Sequence, residues 1–271
     1  NIQAKNTCKD GLEAYEKLKT TIYDGVVLDV NMPRMDGLQL LEKLQEENIK
    51  ANVIMVSTLT TKDAEVTILA LERGAIDFVT KPTNISEAKG EDFKKKLLDT
   101  MNAVLNSRLL ARTSRATARP VSTTSPAGAN AATSPAKETL NGAASPAKAN
   151  VTANFKRLKA TGKNKLIALA SSTGGPKALQ SVIPYLPENL DAPMVLVQHM
   201  PAGFTEMYAN RLNDQCRVTV KEAKDGDRVL PGHVLIAPGG DCQMRLLKVN
   251  GHYQVEVKPG PKVSGHCPSV D

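Results

Sequence analysis

The sequence predicts an α/β protein of two separate units joined by a tether. Three observations predict it. Short continuous apolar runs recur at Val26-Val27-Leu28, Val53-Ile54-Met55-Val56, Leu166-Ile167-Ala168-Leu169-Ala170 and Met194-Val195-Leu196-Val197, as expected for strands buried on both faces of a parallel sheet. Between these runs, apolar residues recur at helical spacing. Residues 114–150 consist largely of Ala, Ser, Thr, Pro and Asn, and cannot bury enough surface to offset their ordering entropy. The length of 271 residues suits two domains of ~100–200 residues each. The expected division is 1–106, a disordered linker over 107–160, and 161–271.

Composition narrows the function classes. Hydrophobic residues make up 41%, enough to build cores, and no run of about 18 apolar residues is present to suggest membrane insertion. The four cysteines, Cys8, Cys216, Cys242 and Cys267, form no C-x-x-C pair. Free thiols in a reducing cytoplasm are the expectation, rather than a zinc site or a disulfide framework. Much of the net charge of +7 lies in the middle segment, so it argues for solvation of a tether rather than for a nucleic-acid partner. A monomer is expected. The first residues do not resemble a signal peptide and lack an initiating Met, and the last stop inside a patterned segment. The expectation is a chain cut at both ends.

In the first unit, Leu12, Tyr15 and Leu18 share one helical face. The run at 26–28 leads to Asp29, and Leu38, Leu40, Leu41 and Leu44 form the next helical stripe. The run at 53–56 leads to Ser57, a helix over 64–73 stops at Gly74, and Phe78-Val79 leads to Thr80-Lys81-Pro82. Three successive strands thus deliver Asp29, Ser57 and Lys81 at their C-terminal ends, the edge where open parallel sheets bind ligands. A carboxylate that accepts a phosphoryl group, with a hydroxyl and an ammonium to take its charge, is one reading of that set. A structural Asp–Lys pair holding strand ends together is the other.

Asp29 with Met32-Pro33-x-Met35-Asp36-Gly37, Ser57, and Thr80-Lys81-Pro82 resembles the response-regulator receiver domain, which implies a flavodoxin-like parallel sheet. By that resemblance Asp29 is the phosphoacceptor. Asp29 and the backbone carbonyl of Asn31 are ligands to a Mg²⁺ that phosphorylation needs, Ser57 and Lys81 bind the phosphoryl group, and Phe78 is the aromatic switch residue. Receivers begin with a strand ending in an acidic pair that also holds the metal. No such strand precedes Asn1-Ile2-Gln3 and no acidic pair occurs there, so this stretch alone is expected not to accept phosphate.

In the second unit, the run ending at Ala170 leads into Ser171-Ser172-Thr173-Gly174-Gly175-Pro176. A strand turning into a helix through small residues exposes and orients a hydroxyl, and Ala170-x-Ser172-x-Gly174 follows the nucleophile-elbow spacing with Ala in the first Gly position. The same turn could instead hold a phosphate. Leu179, Val182, Ile183 and Leu186 form the next stripe, and Met194-Val195-Leu196-Val197 ends at Gln198-His199. If the two strands are neighbours, Ser172 and His199 share a sheet edge, and imidazole can take the hydroxyl proton. His233, His252 and His266 are rivals for the base, but position favours His199. A helix with Phe204, Met207, Tyr208 and Leu212 on one face follows, then a strand at Val234-Leu235-Ile236-Ala237 and a turn at Asn250-Gly251.

The segments 170–176, Gln198-His199-Met200-Pro201-x-Gly203-Phe204-Thr205, 226–233, Ile236-Ala237-Pro238-Gly239 and 266–271 resemble the chemotaxis methylesterase family CheB, whose order is receiver, linker, esterase. The resemblance implies a Rossmann-like catalytic α/β domain that demethylates glutamate methyl esters and deamidates glutamines on the cytoplasmic part of chemoreceptors, under control of a chemotaxis histidine kinase as phosphodonor. Ser172 would be the nucleophile and His199 the general base and acid, with no cofactor for ester hydrolysis. The family's third triad member, an Asp, lies beyond residue 271, and Asp271 belongs to an earlier motif. Cys267 stands where the family usually has Arg. An alternative is a response regulator with a non-catalytic binding domain as its output.

Overall fold

The computed structural model describes residues 2–82, 91–116 and 165–271, so the expected tether from 117 onward lies outside the described residues. The first unit runs α1 (Gly11–Thr20), β1 (Val26–Asp29), α2 (Gly37–Glu46), β2 (Val53–Ser57), α3 (Thr61–Glu72), β3 (Asp77–Thr80) and α4 (Glu91–Ala116). Its three strands pair in parallel in the order β1-β2-β3, with β2 buried throughout. Local chemistry starts each of the first three helices. Asp10 accepts from the Glu13 N–H, Asp36 and Gln39 form a reciprocal capping box, and Thr60 accepts from the Asp63 N–H, each satisfying a donor that the helix cannot. Gly37 is required by close approach, because a Cβ there would lie 2.3 Å from the Asp29 carbonyl oxygen.

Helix α4 runs past residue 106, where the first domain was expected to end. Residues 101–112 are rich in Ala, Leu, Arg, Met and Asn and lack Gly and Pro, so local propensity carries the helix on until the composition changes.

The second unit runs β4 (Ile167–Ser171), α5 (Gly175–Gln180), a 3₁₀ turn (Ile183–Tyr185), β5 (Met194–Gln198), α6 (Phe204–Gln215), β6 (Thr219–Glu222), β7 (His233–Ile236), and the hairpin β8 (Cys242–Val249) and β9 (His252–Pro259). Strands β4-β5-β7-β6 form an all-parallel sheet in that order. The single helix expected after Pro176 is instead α5 and a 3₁₀ turn. Leu179 and Ile183 are buried while Val182 is exposed, so the apolar stripe is continued by a tighter turn. The hairpin turns at Asn250 (φ 49°) and Gly251 (φ 81°), the two positive φ values that a two-residue I′ turn demands. All four cysteines are free, and among the described residues no helix is long and apolar enough to cross a membrane.

The two units pack directly on each other. Phe78 of β3 stacks on Phe204 of α6, with ring centroids 4.8 Å apart and planes 9° from parallel, and both rings are buried in one continuous apolar core. Arg211 pairs with Glu72 at 2.9 Å, Gln215 donates to the same carboxylate at 3.0 Å, and the Lys177 ammonium donates to the Gly74 carbonyl at 3.4 Å. Asp77, only 8% exposed, accepts from the Gly174 N–H at 2.9 Å and from the Phe78 N–H at 2.8 Å.

Burial pushes the Asp77 carboxyl up from 3.8 to about 6, against the pull of those two N–H groups and of Lys96. A carboxyl raised on folding contributes stability that is fully present below pH ~4 and is lost as pH rises through about 6. Asp77→Asn removes the ionisation. In paired urea unfolding at pH 4 and pH 7, the variant should gain on the wild type by on the order of 3 kcal/mol between the two pH values.

Candidate active site

The register of the β4–β5 pair sets the site. Ser171 lies opposite Gln198, and the ladder extends one step further through the His199 N–H to the Ser171 carbonyl at 3.3 Å. Both strands end together, so Ser172 and His199 emerge side by side at the C-terminal edge of the sheet. The Ser172 Oγ lies 3.1 Å from His199 Nδ1. Gly174, at φ +75°, turns the chain into α5 with a backbone conformation that residues carrying a Cβ rarely adopt. Tyr208, fully buried on α6, holds α5 in place by donating its hydroxyl to the Pro176 carbonyl at 2.7 Å.

The rival histidines separate by position. His233 opens β7, at the opposite end of the parallel sheet, with Nδ1 3.0 Å from the Pro231 carbonyl. His252 begins β9 at the hairpin tip. His266, by contrast, stacks on His199 with centroids 4.0 Å apart and planes 7° from parallel. Its place beside the site rather than in it was not legible, because only the fold of the terminal segment over the sheet edge brings the rings together. The Nε2 of His199 is buried and has no hydrogen-bond partner among the described residues. Burial, and secondarily the neighbouring His266, holds the His199 imidazole below its usual value, which favours the neutral, proton-accepting form. Asp271 accepts from Ser264 at 3.1 Å and from Ser269 at 3.2 Å, which keeps it in the terminal segment. The Cys267 thiol faces the Gly260 carbonyl at 3.7 Å.

On the first unit, the Lys81 ammonium lies 2.7 Å from each oxygen of the Asp29 carboxylate. Ser57 also ends its strand at this edge, but its buried hydroxyl donates to the Thr58 carbonyl at 3.2 Å. Sequence reasoning overlooked Asp63 and Thr58. Asp63 accepts from the Asn31 side-chain amide at 3.1 Å and from the Thr58 hydroxyl. The hydrogen bonds from Thr58, first, and Asn31 hold its carboxyl below the usual range. A hard cation such as Mg²⁺ wants about six oxygen ligands. Asp29 and the Asn31 carbonyl supply two of that kind, and no cluster of three His, Cys, Asp or Glu side chains suited to a metal occurs among the described residues.

A pocket of about 590 Å³ is lined by Ile76, Ala103 and Val104 of the first unit and by Ser171, Ser172 and Gly174 of the second.

Fold and site together define a two-domain α/β protein in which a serine–histidine sheet edge is packed against the start of β3, with an aspartate–lysine pair at that strand's far end. Residues 2–90 match the family model for the response regulator receiver domain, and residues 167–271 match that for CheB methylesterase. A protein-glutamate methylesterase/protein-glutamine glutaminase of Syntrophotalea carbinolica is 40% identical over 271 residues, covering 100% of this chain and 68% of the relative. A protein of the same name from Escherichia coli O6:K15:H31 is 41% identical over 270 residues, covering 98% and 65%. One from Bordetella parapertussis is 39% identical over 272 residues, covering 100% and 67%. The chain belongs to the CheB methylesterase family with its receiver domain, and spans about two thirds of the length of these curated relatives.

His266→Ala removes part of the cover of His199 together with the neighbouring ring, so the His199 pKa should rise toward the ordinary value. An NMR titration of the imidazole would read this directly, and an unmoved midpoint would contradict it.

Proposed function

We propose that Ser172 and His199 form the nucleophile and general base of a serine esterase. It hydrolyses glutamate methyl esters on the cytoplasmic part of chemoreceptors and deamidates glutamines there, under control of the receiver unit. The observation that carries this reading is the 3.1 Å approach of the Ser172 hydroxyl to a neutral-favouring imidazole at a shared sheet edge. The relatives' shared name, protein-glutamate methylesterase/protein-glutamine glutaminase, supports that substrate class.

In the reaction, Ser172 Oγ attacks the ester carbonyl as its proton passes to His199 Nδ1. The tetrahedral intermediate collapses, the C–O bond to the methoxy group breaks, and His199 returns the proton to release methanol. Water then attacks the acyl-serine, giving up a proton to His199. The receptor carboxylate leaves as Ser172 regains its proton. On a glutamine the leaving group is ammonia. Every proton in the cycle passes through one imidazole, so no cofactor enters the ester-hydrolysis steps.

Regulation follows from where the receiver sits. Ile76, Ala103 and Val104 wall one side of the pocket at Ser172, and Asp77 occupies the Gly174 N–H. A receptor helix carrying the ester needs that space, so the packed arrangement is the inhibited one. Phosphorylation of Asp29 by a chemotaxis histidine kinase would draw Lys81 onto the phosphoryl group and disturb β3, and with it the Phe78–Phe204 stack. Differential stability of the packed interface in the two receiver states is what such control requires.

Ser172 is exposed, so Ser172→Ala should leave the melting temperature unchanged while lowering methanol release from methylated receptor membranes by roughly 10⁴-fold or more. Undiminished release would refute the assignment. In a full-length protein carrying the receiver's acidic pair, Asp29→Asn should abolish the rise in rate that a phosphodonor gives.

A further inference from the structure

Gln198 takes no part in the proton transfers above, yet it is 1% exposed at the end of β5 and touches both halves of the site. Its Oε1 accepts from the Ser171 hydroxyl at 2.6 Å. Its Nε2 donates to the Ser172 carbonyl at 3.1 Å and to the His199 carbonyl at 3.3 Å. The amide orientation follows from chemistry, since two carbonyls can only accept and therefore face the NH₂ group. One side chain thus ties the peptide of the hydroxyl-bearing residue to the peptide of the imidazole-bearing residue.

Gly175 supplies an independent observation. A Cβ there would lie 2.0 Å from Gln198 Oε1, and 2.8 and 2.9 Å from the Cβ and Oγ of Ser171. The turn is closed down onto the Gln198 amide so tightly that no side chain fits. The turn itself is built of small residues, and one of its outside restraints, the bond from Gly174 to Asp77, comes from the receiver and would be lost when the units part.

We propose that Gln198 is a positioning residue for the esterase reaction: its amide sets the Ser172–His199 separation and holds it when the receiver is displaced. This rests on the reading of Ser172 and His199 as nucleophile and base. A misplacement of about 1 Å in such a pair can cost on the order of 10²-fold in rate.

The test compares wild type, Gln198→Met, Gln198→Glu and Ser171→Ala, each checked by thermal melt. Two rates are followed: turnover on methylated receptor membranes, and acylation of Ser172 by a fluorophosphonate probe, which reads nucleophile activation without any receptor. Gln198→Met keeps length but makes none of the three bonds. It should lower kcat and the labelling rate roughly 10- to 100-fold with KM little changed. Gln198→Glu should be equally slow when ionised, because a carboxylate would face two carbonyls. It should recover in part at low pH, where a protonated acid can donate to one of them; a purely structural role would give no such pH-dependent rescue. Ser171→Ala removes only the Oε1 anchor and should give a smaller fall, which keeps the proposal open to refutation should the Met variant misfold. Folded Gln198→Met or Ser171→Ala protein with wild-type labelling and kcat would overturn the positioning role while leaving the esterase intact. A wild type that neither labels nor releases methanol would overturn the esterase reading and this proposal with it.

Discussion

The parallel register that sets Ser171 opposite Gln198 is the constraint on which the rest of the site depends. Adjacent parallel strands advance together, so two strands ending at paired residues present their next side chains at one edge and at one height. Ser172 and His199 are those next residues. A slip of one position would send Ser172 to the other face of the sheet and leave the imidazole beside a backbone carbonyl. The flanking elements guard this register from both sides. Buried Val195 and Leu196 anchor β5 in the sheet, Gln198 closes its end, and Tyr208 holds the helix that follows the turn.

The second organising element is the four-residue strand β3, which joins the two sheet edges mechanically. Successive residues of a strand point to opposite faces. Asp77 therefore reaches the Gly174 turn while Phe78 enters the core shared with Phe204, and Lys81 just beyond the strand end holds Asp29. Within five residues the chain contacts the Asp29 edge, the apolar interface and the Ser172 turn. Lys81, ion-paired to Asp29, thus lies four residues along the chain from the Asp77 carboxylate that meets Gly174. Ion pairs such as Glu72–Arg211 at the rim add orientation more than strength, since partly exposed pairs contribute little.

Much of the site was legible because each chemical residue ends a continuous apolar run. Asp29, Ser57, Ser172 and His199 all end or follow apolar strand runs, and strand ends in parallel sheets converge, although only β2 and β5 are buried nearly throughout while β1 and β4 alternate with partly exposed residues. The elements that escaped notice lack that signal. Strand β6 reads Thr-Val-Lys-Glu with one buried residue, too short and too polar to stand out. Helix α4 passes the expected boundary because Ala- and Leu-rich sequence gives no stop before Pro120. Asp63 looks like an ordinary first-turn acid, and only the fold of α3 against the loop after β1 brings it to Asn31. Ser57 ends the right strand, but its rotamer, which no pattern encodes, turns the hydroxyl to a neighbouring carbonyl.

The sequence by itself determined the two α/β units, the strand-end placement of the chemical residues and the family to which the chain belongs, because hydrophobic periodicity and short motifs are local properties. Tertiary structure alone decided what those residues meet. It stacked His266 on His199, buried Asp77 against Gly174, joined Phe78 to Phe204 across the units, and placed the Gln198 amide between the Ser172 and His199 peptides. Each of these pairs residues far apart in the chain or fixes a side-chain orientation. Both depend on how faces pack in three dimensions, and one-dimensional periodicity carries no record of that.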